Sequence, residues 1–403
     1  MAADRKLGIG AIGLGRAFTF MRPAFAASPE IALVAAADPR PEAQKRFSEE
    51  FGGKGYTTVG ELLHDPRVEA VYIATPHQFH AEHAIAAARA GKHILVEKPM
   101  ALTLAEAEAM VAAAREAGVK LLVGHSHSFD PPIAAARAII ASGEFGAVKM
   151  ITALNFTDFL YRPRRAEELD TSAGGGVIFN QAMHQVDVVR LLAGGLAESV
   201  TAQTGIWDAA RPTEGAYTAL LRFAGDIAAT ITYSGYAHYD SDALLGWIGE
   251  SGLPKAGDAF ARTRNALPPG LSQAEEEELR RKRGYGVATD NPSAPAQTRW
   301  HEHFGFIVVS CERADLRPVP QGVVVDSDRE HGLRALAPPR APRLPALAEF
   351  YDAVTTGNAP LHSGEWGLAT LEASLAILHS ARERRAIALT RQIAPLPLYR
   401  QEK

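Results

Sequence analysis

Apolar residues in the first third of the chain come in short continuous runs separated by amphipathic stretches. LGIGAIG, IALVAAAD, AVYIAT, HILVEKP and KLLVGHS each read as a strand. HAEHAIAAARAG and LAEAEAMVAAAREAG, between them, read as helices. Unbroken apolar strands alternating with helices predict a parallel sheet covered on both faces. The alternation stops near Ser128, where FDPP opens a different segment. A helix, PIAAARAIIASGEFG, leads into VKMITALNF, ESVTAQTGIW, YTALLRFAG and DIAATITYSGY, whose β-branched, partly alternating character predicts an antiparallel or mixed sheet. The expected fold is α/β. A Rossmann, doubly wound parallel sheet spans 1–128, and an α+β domain with a large open, mostly antiparallel sheet spans 129–403.

A charged insertion is expected at about 247–299, where Pro, Gly and charge replace the apolar pattern. Within it, QAEEEELRRKR places Glu276, Glu277 and Glu278 four residues ahead of Arg280, Arg281 and Lys282. That order favours helical ion pairs and predicts a solvated helix. Strand signals return at FGFIVVSCER and GVVVDSD, and the chain closes with the helical PALAEFYDAVTTG and LATLEASLAILHSARER.

With 403 residues, 47% hydrophobic and 22% charged, two globular domains are the default. A net charge of −4 speaks against a nucleic-acid partner. The single cysteine, Cys311, excludes an intramolecular disulfide and suits a reducing compartment. No signal peptide precedes the first strand and no apolar run approaches about 20 residues, so a cytoplasmic protein without a membrane span is expected.

The chemistry begins at GIGAIGLGRAF. Gly13 and Gly15 permit the tight turn and close backbone approach that a pyrophosphate needs at a helix N-terminus, with Arg16, Ala17 and Phe18 following. Phe18 stands where a small third residue normally lets helix and strand pack closely. Asp38 ends the second strand, where an acid would accept from the ribose 2′-hydroxyl and repel a 2′-phosphate. NAD is therefore the expected cofactor, with NADP possible because Arg40 lies two residues on. Glu97-Lys98-Pro99 ends a further strand, where open α/β sheets bind ligands. Lys98 there is either a surface lysine or a donor to a substrate hydroxyl. In GGGVIFNQAMHQVDVVRLLAGG, His184 and Asp187 are spaced to share one helix face. His184 is either a satisfied buried histidine or a base for a hydroxyl proton near neutral pH.

AVYIATPHQFHAEHA, ILVEKPMALTLAEAE, GGGVIFNQAMHQVD and the closing GNAPLHSGEWGLATLEASLAILHSA together resemble the glucose–fructose oxidoreductase / inositol dehydrogenase / rhizopine-catabolism (Gfo/Idh/MocA) family. The resemblance implies a Rossmann domain followed by an α/β domain whose open sheet often mediates dimers or tetramers, so a homodimer or homotetramer is expected. It implies catalytic roles for Lys98 and His184, and a cofactor-side T-P-x-x-x-H element in Thr75, Pro76 and His80 beside Glu97. Three residues depart from the pattern: Asn180 stands for the usual Asp, Ala182 for Gly, and Ser128-Phe129 for Arg-Phe or Arg-Tyr. Asn180 can orient a hydroxyl but cannot take its proton.

GHSHSFDPP, LNFTDFLYRPRRAEELDT and FGFIVVSCERADLRP further resemble the phthalate 4,5-dihydrodiol dehydrogenase branch, which aromatises a cis-dihydrodiol carrying carboxylates. The implied enzyme is an NAD(P)-dependent dehydrogenase acting on CH–OH or CH–CH donors, with an anionic small-molecule substrate. Tyr161 and the cationic Arg162, Arg164 and Arg165 are candidates for holding that substrate, or form a surface loop or subunit contact. His125, His127, His301 and His303 are candidate pocket residues. No metal is expected, since the spacings lack three or four converging ligands. The alternatives are a sugar or inositol dehydrogenase, a redox-neutral lyase with tightly held NAD, and a non-catalytic dinucleotide-sensing regulator.

Overall fold

A computed structural model describes residues 6–124, 126–194, 196–257, 262–268, 270–282, 284–287 and 298–396. The chain forms two compact units, each discontinuous in sequence. The first comprises Met1–His125, Ser272–Ala294 and Arg340–Leu368; the second comprises Ser126–Leu271, Pro295–Pro339 and Ala369–Lys403.

Six parallel strands build the first unit's sheet: β1 (Leu7–Ile12), β2 (Ile31–Ala37), β3 (Lys54–Tyr56), β4 (Ala70–Ile73), β5 (His93–Val96) and β6 (Leu121–Val123). They lie in the order β3-β2-β1-β4-β5-β6. Helices α1 (Arg16–Ala27), α2 (Pro41–Phe51), α3 (Val59–Leu63), α4 (His80–Arg89) and α5 (Leu104–Glu116) connect them. Every residue of β1, β4 and the last three of β5 is buried, which explains their unbroken apolar runs. Helices α3 and α5 start at capping boxes, Thr58 with Glu61 and Thr103 with Glu106.

The second unit opens with α6 (Pro131–Ser142) and α7 (Met183–Ala193) and adds the short α8 (Arg262–Ala266). Its sheet holds β7 (Val148–Phe156), β8 (Ala197–Gly205), β9 (Ala216–Phe223), β10 (Ile227–Ser234), β11 (Phe306–Cys311), β12 (Ala314–Val319), β13 (Gly322–Ser327), β14 (His331–Ala335) and β15 (Ile387–Ala388). The order is β14-β13-β12-β11-β7-β10-β9-β8-β15, antiparallel throughout except for β7 beside β10. Helices α6 and α7 pack against this sheet. Met150, Leu220 and Leu333 remain exposed on β7, β9 and β14.

The single cut expected at 128/129 needs correction, because two later segments complete the first unit. Helix α9 (Gln273–Arg281) and Tyr285 belong to it, as does α10 (Leu344–Thr356). Tyr285, Leu347, Phe350 and Ala353 join one apolar cluster with Leu14, Phe18, Phe25 and Phe47. The unit boundary then falls inside α11 (Gly364–Glu383). The apolar face of α10 has no sequence mark saying which core it fills. The expected ion-paired helix is present as α9, where Glu278 pairs with Arg281 and Lys282, but Glu276 is buried.

Candidate functional site

The dinucleotide-binding residues lie in the first unit. Gly13 follows β1 with φ +88°, and a Cβ there would sit 2.9 Å from the Ala74 carbonyl oxygen and the Thr75 nitrogen. Only glycine fits so close an approach. Gly15 is the N-cap of α1 and places no side chain over its first amides, so they face outward to a ligand. Asp38 ends β2, buried, and its Oδ2 accepts from the Leu14 N–H at 2.8 Å. Arg40 donates from Nε to Asp38 Oδ1 at 2.9 Å and from Nη2 to Oδ2 at 3.0 Å. The turn, the uncapped helix start and the carboxylate fit a dinucleotide. Phe18 is a correction. Its ring is fully enclosed among Phe25, Phe47, Phe51 and Tyr285, so it builds core rather than touching a cofactor. Arg16 lies over Phe20, and Ala17 packs against the same core.

His80 ties these segments together. Its Nδ1 is 2.8 Å from the Pro99 carbonyl and its Nε2 is 2.9 Å from the Thr75 carbonyl, so one ring joins the segment after Lys98 to the Thr75-Pro76 turn. Burial drives its pKa down to about 4 against these two hydrogen bonds. A neutral imidazole donates to only one of the two carbonyls at a time. Glu97 accepts from the buried Tyr72 hydroxyl at 2.7 Å. Lys98 follows it, partly exposed.

An imidazole cluster lies in the second unit. A single π-helical turn, Ile178–Ala182, carries Asn180, whose amide donates to the Gly176 carbonyl at 2.8 Å. Such turns widen the helix locally and are frequent at functional sites. All of α7 beyond it is buried. Asp187 accepts from Ser128 and, at 3.0 Å, from Thr370, whose hydroxyl accepts from Arg190 at 2.7 Å. His184, one turn before Asp187, meets the His127 ring edge-on, with centroids 4.8 Å apart. Phe304 lies against both, at 4.8 Å from His184 and 5.1 Å from His127, and stacks on Tyr233, which stacks on Tyr217.

Asp130 fixes His127 by accepting from Nδ1 at 2.7 Å. Burial lowers the His127 pKa, but the Asp130 carboxylate, with Glu302 and Glu250, more than reverses this and raises it. Glu250 accepts from Asn155 at 3.2 Å. Burial would raise its pKa, yet the charges of Arg162, His127 and His303 hold it below the usual range.

The other predicted residues divide. His303 donates from Nε2 to the Ile248 carbonyl and accepts at Nδ1 from the Gly305 N–H, so both ring nitrogens serve the backbone. His301 Nε2 is 2.9 Å from the Ala337 carbonyl. His125 lies outside the described residues. The three arginines do not form one open clamp. Arg164 is buried over the Phe159 ring and donates to the Phe159 carbonyl. Arg165 pairs with Glu167 and Glu168. Arg162 makes a looser 3.9 Å pair with Glu250 and keeps a third of its side chain exposed. Tyr161 donates to Asp208 at 2.9 Å under the Arg264 guanidinium.

Phe304, Tyr233, Glu250 and Asp130 were not singled out from the sequence. Asp130 was open to detection, since His127-x-x-Asp130 repeats the spacing of His184-x-x-Asp187. Among the described residues no group of three or more His, Cys, Asp or Glu is arranged to hold a metal, and no helix is long and apolar enough to cross a membrane.

Residues 7–125 match the profile described as the oxidoreductase family, NAD-binding Rossmann fold, and residues 133–253 match the GFO/IDH/MocA C-terminal domain. The chain is 46% identical to 1-carboxy-3-chloro-3,4-dihydroxycyclohexa-1,5-diene dehydrogenase of Comamonas testosteroni, over 93% of this chain and 94% of that one. Its structure is similar to that of a protein assigned as a dehydrogenase in Bordetella bronchiseptica RB50, with TM-score 0.89 and 40% identity, covering 95% of this chain and all (100%) of that one. Levoglucosan dehydrogenase, solved with NADH and levoglucosan, shares the fold at TM-score 0.72 and 19% identity, over 96% and 100% of the two chains.

Proposed function

Because the chain belongs to the Gfo/Idh/MocA family of NAD-dependent oxidoreductases, we propose that it oxidises a secondary hydroxyl of a cyclic cis-dihydrodiol carboxylate. The ring cluster of His127, His184 and Phe304 carries this reading, because it sets two imidazoles on a flat apolar ring. That combination suits a planar diene bearing hydroxyls better than a fully saturated polyol. The similarity to a dehydrogenase of a carboxylated cyclohexadiene diol supports it.

Gly13 and the first amides of α1 hold the dinucleotide, with Asp38 and Arg40 at the ribose position. When bound, NAD supplies the acceptor for the hydride, and a dihydrodiol that loses that hydride and a hydroxyl proton becomes the keto form of an aromatic catechol. His184 is the base for a substrate hydroxyl proton, and Lys98, at the end of β5, is a donor to a substrate hydroxyl. Asn180 orients a hydroxyl without competing for its proton. Arg162, a third exposed and only loosely paired with Glu250, meets the substrate carboxylate. The enzyme works as a homo-oligomer, a reading supported by the apolar residues exposed on the nine-stranded sheet, and its single cysteine supports a reducing cytoplasm as its setting.

The test is turnover of the purified protein with NAD, followed as NADH absorbance, on cis-dihydrodiol carboxylates, inositols and aldoses. Dihydrodiol carboxylates should give the highest kcat/KM. Equal or faster turnover of an inositol or aldose would replace this reading with the sugar one.

A further inference from the structure

Residues 272–294 lie in sequence between strands of the second unit's sheet, yet they belong to the dinucleotide-binding unit. Tyr285 anchors them. It is 2% exposed, its ring meets Phe18 edge-on at 5.0 Å, Arg46 lies over its face at 5.1 Å, and its hydroxyl donates to Glu50 at 2.8 Å. The large ring of Phe18, at a position where the dinucleotide fingerprint usually has a small residue, thus supplies the surface on which Tyr285 docks. The turn is tight on both sides of it. Gly286 has φ +88°, and a Cβ there would sit 3.0 Å from Ala43 Cα; a Cβ on Gly284 would sit 3.2 Å from the Arg281 carbonyl oxygen.

This segment reaches the residue that reads the ribose. The Tyr285 carbonyl accepts from Arg40 Nη1 at 3.2 Å, and the Leu14 carbonyl accepts from Nη2 at 2.8 Å. Held from both sides, Arg40 bonds Asp38 through its main-chain N–H at 3.0 Å, through Nε at 2.9 Å and through Nη2 at 3.0 Å. Leu14 adds its own N–H at 2.8 Å. A carboxylate offers about four acceptor positions, and these four bonds fill them. Asp38 is therefore both neutralised and saturated.

We propose that residues 284–286 are a latch that holds Arg40 on Asp38 and thereby weakens the chain's discrimination between NAD and NADP. A free carboxylate at the end of β2 accepts ribose hydroxyls and repels a 2′-phosphate. A carboxylate covered by a fixed guanidinium does less of each, and it keeps a cation beside the position that decides between the two cofactors. Releasing the latch lets Arg40 leave, returns acceptor positions to Asp38 and restores its repulsion. The inference concerns cofactor binding and is measured without substrate, so it stands or falls apart from the dihydrodiol reading.

The experiment measures Kd for NADH and NADPH by nicotinamide fluorescence on the full chain. Tyr285→Ala removes the anchor, and Gly286→Ala forces a side chain into a left-handed turn against Ala43. Each should raise the ratio of the NADPH Kd to the NADH Kd about three- to tenfold, a coupling typical of residues in contact. Arg40→Met should raise the ratio at least as far, and Tyr285→Phe, which keeps the ring, should leave it nearly unchanged. In the Arg40→Met background neither latch variant should move the ratio further. Should Tyr285→Ala fail to fold, Gly286→Ala carries the same cycle. Equal changes in both constants, or an effect that persists without Arg40, would make the segment a packing element only and overturn the latch.

Discussion

Asp130 sits three residues after His127 and decides how that imidazole is charged. The folded protein keeps the His127 proton to higher pH than the unfolded chain, because the carboxylates around it outweigh burial. Its contribution is therefore complete below the ordinary histidine value of about 6.5 and is lost as pH rises through the raised folded value. Asp130→Asn should cost about 1.5–3 kcal/mol at mildly acid pH and clearly less in alkali, read as urea midpoints at the two pH values. His80 runs the other way. Its pKa is lowered to about 4, so the stability linked to its neutral form is present above about 6.5 and is lost as pH falls through 4. The shift corresponds to roughly 3 kcal/mol, and His80→Gln should flatten the acid limb of the stability profile by an amount of that order. At the chemistry itself, His184→Ala should lower kcat about 10²–10⁴-fold while leaving the NADH Kd near its original value. Unchanged kcat would remove His184 from the reaction. Among the arginines, Arg162→Met should raise KM for a carboxylated substrate, whereas Arg164→Met should lower the melting temperature, because Arg164 is buried against Phe159.

Helix α1 shows a local rule broken for a global reason. The fingerprint favours a small residue at position 18, and the sequence alone reads Phe18 as a flaw in the turn. The ring instead centres an aromatic cluster shared with α2 and Tyr285. Phe18→Ala should cost about 3–5 kcal/mol in denaturant unfolding, as deletion of a fully buried aromatic ring does. By contrast Thr103→Ala, which removes only the N-cap of α5, should cost about 0.5–2 kcal/mol and leave cofactor binding alone. Strands β1, β2, β4, β5 and β6 and helices α4 and α5 were legible because apolar runs and amphipathic stretches differ in period. Strands β3, β12 and β14 were not. β3 has three residues, β12 contains Pro318, and β14 is an edge strand, exposed at alternate residues, whose one large apolar side chain, Leu333, faces outward. The π-helical turn before α7 was likewise invisible, since its residues fit an ordinary helical pattern.

For the molecule as a whole, the parallel sheet and the mostly antiparallel sheet were both readable from the sequence, and the partition of the chain between them was not. Burial patterns say that α10 has an apolar face but not which core it completes. The candidate residues of each unit were legible in the same uneven way. Lys98, His184 and the glycine turn stand out by motif, while Phe304 and Tyr233 look like any other core aromatics until the fold stacks them.

The two-piece return of 272–294 and 340–368 to the first unit bears on the order in which the protein is made. A ribosome releases β1 to β6 long before it releases Tyr285, Leu347, Phe350 and Ala353, which share their core. The nascent Rossmann sheet therefore waits with part of its apolar surface uncovered while eight of the nine strands of the second sheet, β7 to β14, are synthesised. Domains that close late in this way depend on staying soluble as intermediates. A chain arrested after residue 125 should bind NADH poorly and expose surface to a hydrophobic dye, and adding 340–368 through a short linker should restore much of both. An arrested chain that binds NADH as tightly as the whole protein would show that the late segments are ornament to this unit rather than its keystone.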